Sequence, residues 1–197
     1  MVGLVGLVGA VLVFNVGVWW WIAYDESHPS APGPERVRLT AEEFRERSEQ
    51  AIQDTVRGLS PALVLSDTGF TVRQHERRPD GEPSRLAFVD RQLTARTKIS
   101  ASHRAELKNG IETAWQERGY KQVKPMWTPS EPEKGPDYNF SAESSEGVSV
   151  YVSLVPGPDQ TITFTLSIRG DGVAYAPDSA RPTSTVQPDV DDAHWSQ

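Results

Sequence analysis

VSVYVSLVPGPDQTITFTLSIR, residues 148–169, is the stretch that decides the fold. Val148, Val150, Val152 and Leu154 alternate with Ser149, Tyr151 and Ser153, and Ile162, Phe164, Leu166 and Ile168 alternate with Thr161, Thr163, Thr165 and Ser167. Side chains along a strand point to opposite faces in turn, so this period of two makes one face apolar and leaves the other wet. Pro156-Gly157-Pro158-Asp159 separates the two runs with turn-forming residues, and Ser145-Glu146-Gly147 precedes them, which predicts an antiparallel meander. Just upstream, residues 120–127 and 137–142 read as two further strands on either side of a polar linker, 129–136.

The period changes further back. Thr40 with Glu43 forms a capping box, and Phe44, Ala51, Ile52, Val56 and Leu59 recur at helical spacing up to a stop at Gly58. The opposite face carries Glu42, Glu43, Arg45, Glu46, Arg47 and Glu49 and reads as solvated surface. Residues 61–65 fit a helix end or a strand equally well. Residues 70–77 and 86–99 then read as a hairpin across the Pro79-Asp80-Gly81 turn. Val89, Leu93, Ala95, Thr97 and Ile99 share one face of the second strand while Leu86 and Phe88 are out of phase, so a bulge or an end to pairing is expected near residues 88 to 91. Arg73, His75 and Arg77 fit an edge strand blunted by charge. A second helix is predicted over 102–118, with Leu107, Ile111, Ala114 and Trp115 on its core stripe and Gly119 as its C-cap. Gly110 inside it costs about 1 kcal/mol relative to Ala, which close packing against the sheet would explain. The expected fold is α+β: two helices on one face of an antiparallel sheet of five to six strands, preceded by one transmembrane helix.

That transmembrane helix is expected over residues 1–24, MVGLVGLVGAVLVFNVGVWWWIAY, an apolar run interrupted only by glycines and Asn15. At 1.5 Å per residue it would span roughly 30 to 36 Å, enough for one crossing. Trp19, Trp20, Trp21 and Tyr24 suit the headgroup layer at its end. A cleaved signal fits poorly, because no Lys or Arg precedes the run and no small-x-small site follows it. The reading is therefore an uncleaved single-pass anchor, N-terminus inside and domain outside. Residues 25–39 are a Pro-rich linker that includes a solvated His28, residues 40–170 form the domain, and 171–197 are expected to be a disordered acidic tail.

Charge and composition narrow the function. Of the 27 acidic residues eleven lie after position 125, against three of the 20 basic ones, so the C-terminal third is strongly acidic. No basic stripe exists, which argues against nucleic acid as a partner. The absence of cysteine removes disulfides, thiolate metal sites and cysteine nucleophiles together. Arg outnumbers Lys 15 to 5, a usage associated with GC-rich genomes such as those of actinobacteria.

No catalytic, cofactor or metal motif emerges from the sequence. His75 and His103 are the imidazoles in the predicted domain, and no Gly-x-Ser-x-Gly accompanies them. His103 and Glu106 have the i,i+3 spacing a metal site could use, yet with no third ligand in view they read as a surface pair. Asp189, Asp191, Asp192 and His194 could hold a cation only loosely from a floppy segment. Trp195, Asp191 and Asp192 are the candidate interaction residues, Trp195 because a lone aromatic in an acidic tail can anchor a partner.

The order helix, hairpin, helix ending in Trp115-x-x-x-Gly119-Tyr120, then meander, resembles the small membrane-anchored or lipoprotein-type extracytoplasmic domains of unknown function in Streptomyces and its relatives. The resemblance spans roughly residues 40 to 170. It implies an envelope address and an α+β fold without an activity; the lipid anchor and disulfides of lipoprotein members do not carry over to a chain without cysteine. The expected role is a non-enzymatic module at the cell envelope, binding a partner protein, envelope component or small ligand. An envelope-associated hydrolase is the alternative.

Overall fold

The alternation in residues 148–169 builds the middle of the sheet. In the computed structural model, which describes residues 36–76, 78, 81–123, 138–176 and 189–197, these residues form β6 (Ser149–Pro156) and the first part of β7 (Thr161–Ala174), paired antiparallel with Val152 opposite Leu166 and Val150 opposite Ile168. β5 (Tyr138–Glu143) and β4 (Lys121–Val123) extend the meander on one side. On the other side β2 (Leu86–Ala95) pairs with β7, and β1 (Leu65–Gln74) closes the sheet as the expected edge strand. The order is β1-β2-β7-β6-β5-β4, with β3 (Ile99–Ser100) pairing with the start of β7, and every strand pairing is antiparallel.

Two helices lie on one face of this seven-stranded sheet, so the α+β class holds among the described residues. The strand count exceeds the expected five to six because the single strand read over 86–99 breaks after Ala95. Its end, β3, joins Thr161 and Ile162 instead. The expected bulge is present where the β2–β7 register shifts between Ala87 and Val89. No helix of the described residues is long and apolar enough to cross a membrane, and the expected anchor over 1–24 lies outside them, as does most of the 25–39 linker.

Helix α1 (Ala41–Arg57) starts at the predicted capping box, with the Glu43 N–H donating to Thr40 Oγ1 (3.1 Å) and the Thr40 N–H to Glu43 Oε2 (2.7 Å). Phe44 rests on β7 at Gly170, where an added Cβ would stand 2.6 Å from the Phe44 ring. Helix α2 (Arg104–Glu117), preceded by a 3₁₀ turn at Ala101–His103, packs on α1. The reason for Gly110 lies there and not at the sheet, as the sequence reading had it. A Cβ on Gly58 would sit 2.3 Å from the Gly110 carbonyl oxygen, so the end of α1 and the middle of α2 touch through bare backbone. Trp115 is fully buried as expected, its indole N–H donating to Thr55 Oγ1 (3.0 Å) and its ring stacked on Tyr120 and tilted against Phe140.

Among the described residues Arg91 is a charge buried on the helix side of the sheet. Arg91 stands in the row between Val89 and Leu93, and its guanidinium donates to both oxygens of Asp67 (2.6 and 2.9 Å), to Glu49 (2.6 Å) and to Ser48 (3.2 Å). Satisfied in this way, the ion joins β2, β1 and α1 without leaving a bare charge in the core. The Asp67 carboxylate beside it holds its pKa above the ordinary arginine value.

The expected disordered tail is corrected at both of its described parts. β7 continues past Gly170 to Ala174, with Val173 buried and bridged in parallel to Leu39. Residues 189–197 dock along the 96–100 segment: Val190 bridges Thr97, the Lys98 N–H donates to Val190 O (3.0 Å), and the Ser100 N–H donates to Trp195 O (2.7 Å). Trp195 is only 1 % exposed, and its indole N–H reaches Pro61 O at 2.7 Å. Burying a tryptophan of 150–250 Å² contributes roughly 4 to 6 kcal/mol at about 25 cal/mol per Å², which offsets part of the entropy lost in ordering the segment.

Candidate functional site

Among the described residues, two of the places that combine polar side chains in a defined geometry could receive a ligand. The first is the sheet face away from the helices, where the serines, threonines and Tyr151 of residues 148–169 point. Here the Ser167 hydroxyl donates to Asp90 Oδ1 (2.5 Å), and both residues are buried. The Arg169 Nε–H reaches Ser167 Oγ at 3.2 Å and lies 3.4 Å from Asp90 Oδ2, while its guanidinium carbon stands 4.3 Å above the centre of the Tyr151 ring. Gln92 reaches the same carboxylate at 3.5 Å. Adjacent strands bring these side chains together because Gln92 pairs with Ser167, Asp90 with Arg169, and Ser167 with Tyr151. Above them is a cavity of about 210 Å³ rimmed by Asn139, Ser153 and Thr165. Sequence alternation predicted a wet face but not this network, since hydroxyl and carboxylate positions on a wet face look like ordinary solubility.

The second place is the corner where α2 begins and the 189–197 segment ends. His103 and Glu106 pair as the i,i+3 spacing predicts, Nδ1 to Oε2 at 2.7 Å. The structure adds the third group that the sequence did not connect to them: His194 Nε2 lies 2.8 Å from Glu106 Oε1. Hydrogen bonds from His103 and then His194 hold the Glu106 carboxyl below the usual carboxylate range. The Trp195 ring meets both imidazoles edge-on, at 4.6 Å from His194 and 5.5 Å from His103. These three side chains, with ligand atoms all within 4.8 Å of one another, are the described residues that could hold a metal ion.

The three candidate interaction residues have local tasks. Trp195 is turned inward and fills the chain's own core, out of reach of a partner. Asp192 Oδ1 accepts the backbone N–H groups of His194 (2.8 Å) and Trp195 (3.0 Å), which lowers its pKa, the Trp195 bond being the larger cause. Asp191 makes an exposed ion pair with Lys98 at 3.0 Å. The imidazoles of His75 and His103 are each paired with a carboxylate, Asp171 and Glu106, and among the described residues neither bonds a serine hydroxyl.

A cleft of about 570 Å³ runs from this corner between the end of α1 and α2, with Glu106 and Trp195 at one end and Asp54 and Arg118 at the other. Asp54 is buried and accepts from Gln50 (2.8 Å) and the Tyr120 hydroxyl (3.3 Å), with Arg118 3.6 Å away. Burial, reinforced by that carboxylate, pushes the Tyr120 phenol well above its ordinary pKa, so it stays a donor. No family model matches the chain, and comparison with curated proteins and with solved structures yields no significant match.

Proposed function

We propose that this chain is a non-enzymatic binding module, anchored to the cell membrane by residues 1–24 with the domain on the outer side, which receives a small, uncharged, hydrogen-bonding ligand of the envelope on its open sheet face. The observation that carries this reading is the Asp90–Ser167–Arg169 network under the cavity. Arg169 is largely neutralised by Asp90 and covers one face of Tyr151, so the floor offers donors and acceptors in place of a net charge, with the Tyr151 ring as an apolar part of the lining beside them. Such a mixture fits a polyhydroxylated ring, whose hydroxyls need both partners and whose C–H face suits an aromatic. At about 210 Å³ the cavity is below the 300–1,000 Å³ of ordinary ligand pockets. It therefore takes one ring or end group of a larger molecule.

The anchor is supported by the length and apolarity of residues 1–24 and the aromatic cluster at their end. Cleavage of a C-terminal tag by protease added to intact, wall-stripped cells is the expected result, and protection of the tag would overturn the orientation. For binding, the full chain in mild detergent is titrated with neutral oligosaccharides released from the envelope. Saturable heat that falls at least about tenfold in affinity in Arg169→Ala, about 1.4 kcal/mol, is expected. Equal binding by wild type and variant would refute the site.

A further inference from the structure

We propose that His103, Glu106 and His194 form a binding site for a divalent transition-metal ion, and that the ion fastens the 189–197 segment to the start of α2. The inference stands apart from the ligand site on the sheet, which lies on the other face of the domain.

The donors come from two parts of the chain and are each held in place. His103 and Glu106 are set by the turn that opens α2, and His194 is set by the Asp192 carboxylate, which accepts its backbone N–H. The Trp195 ring edge limits the swing of both imidazoles. Zinc bound tetrahedrally at about 2.0 to 2.2 Å places its ligand atoms roughly 3.3 Å apart. Here the two imidazole nitrogens lie 2.7 and 2.8 Å from the Glu106 oxygens, and the whole donor set spans no more than 4.8 Å. Small rotations of side chains that are largely at the surface close this set around an ion, with no core residue displaced.

The chemistry of the donors chooses the ion. Two imidazole nitrogens and one carboxylate oxygen suit zinc, cobalt, nickel or copper, whereas magnesium and calcium favour all-oxygen sites. Three protein donors leave a fourth position for water or an external group. Because His194 belongs to the docked segment and the other two ligands do not, the ion binds the docked form preferentially. At a free concentration of 100 times its Kd it would raise the ratio of docked to undocked segment about 100-fold.

The test uses the full chain in mild detergent, stripped of metal by chelation, with Zn²⁺ as the probe in calorimetry and Co²⁺ as a spectroscopic substitute. The expected result is one Zn²⁺ per chain with micromolar or tighter Kd, and a visible d–d band with Co²⁺. Mg²⁺ should bind without saturation. Glu106→Gln, which keeps hydrogen-bonding capacity at an exposed position, and His194→Gln should each weaken Zn²⁺ by at least about tenfold. Their circular dichroism in chelator should match wild type, and Asp191→Asn should leave the Kd unchanged. Hydrogen exchange at the Lys98 and Ser100 amides, both bonded to the segment, should slow at least about tenfold on saturation with Zn²⁺. No saturable zinc uptake, or uptake indifferent to Glu106→Gln and His194→Gln, would overturn the site. Zinc uptake without slower exchange would overturn the fastening.

Discussion

Replacing Trp195 by alanine tests whether the end of the chain belongs to the core. The side chain is 1 % exposed, donates to Pro61 O and packs against the His103 ring just before α2, while its backbone carbonyl accepts from the Ser100 N–H. Truncation of a buried tryptophan costs about 3 to 5 kcal/mol, through lost transfer energy and the cavity left behind. The global loss has a ceiling, however. A variant that cannot fill the cavity can release residues 189–197, so the loss cannot exceed the free energy with which that segment docks. We therefore expect a loss near the bottom of the range, about 3 kcal/mol, or roughly 6 to 12 °C in Tm at about 2 to 4 °C per kcal/mol for a domain of this size. Urea unfolding of the full chain in detergent, followed by far-ultraviolet circular dichroism, measures it. Deleting residues 189–197 should cost the same within about 0.5 kcal/mol if release is what sets the ceiling. Trp195→Phe should cost less than either. A loss under about 1 kcal/mol for Trp195→Ala, with unchanged exchange at the Ser100 amide, would refute the docked segment altogether.

Two further predictions concern the helices. Gly58→Ala should destabilise by about 1 to 3 kcal/mol in the same assay although alanine is the better helix former, because the new Cβ would lie 2.3 Å from the Gly110 carbonyl oxygen. The Glu43 carboxyl is held below its ordinary value of 4.5 by the Thr40 backbone N–H and then the Thr40 hydroxyl. Its contribution is present above pH 4.5 and is lost as pH falls through the lower folded value, so wild type should lose stability over that acid range. Glu43→Gln, which retains the capping hydrogen bond without the titration, should show a shallower acid limb in thermal unfolding.

Local signals made the scaffold legible. Strict alternation placed β6 and β7, the Thr40–Glu43 box placed the start of α1, and two residues out of phase placed the bulge in β2. What escaped depends on partners distant in the chain. Arg91 occupies a position that alternation assigns to the core, and only Asp67 and Glu49, on other elements, make its burial tolerable. Gly110 announces a close approach, but the neighbour is Gly58 on the other helix where the sequence pointed to the sheet. The composition of residues 171–197 averaged away the weight of one tryptophan. By sequence His103 with Glu106 is a surface pair and His194 with its aspartates a loose acidic cluster, and the fold joins the two across 88 positions.

The first few described residues are stitched to the middle of the sheet. Arg38 donates to Gly172 O at 2.9 Å, Ala174 donates to Leu39 O at 2.8 Å, and Phe44 follows on Gly170. A pull on the chain from its N-terminal side is thus delivered to β7, which has β2 on one side and β6 on the other. Such a load is shared among inner strands, and the domain resists it as a block where attachment at β1 would let the sheet unzip strand by strand from its rim.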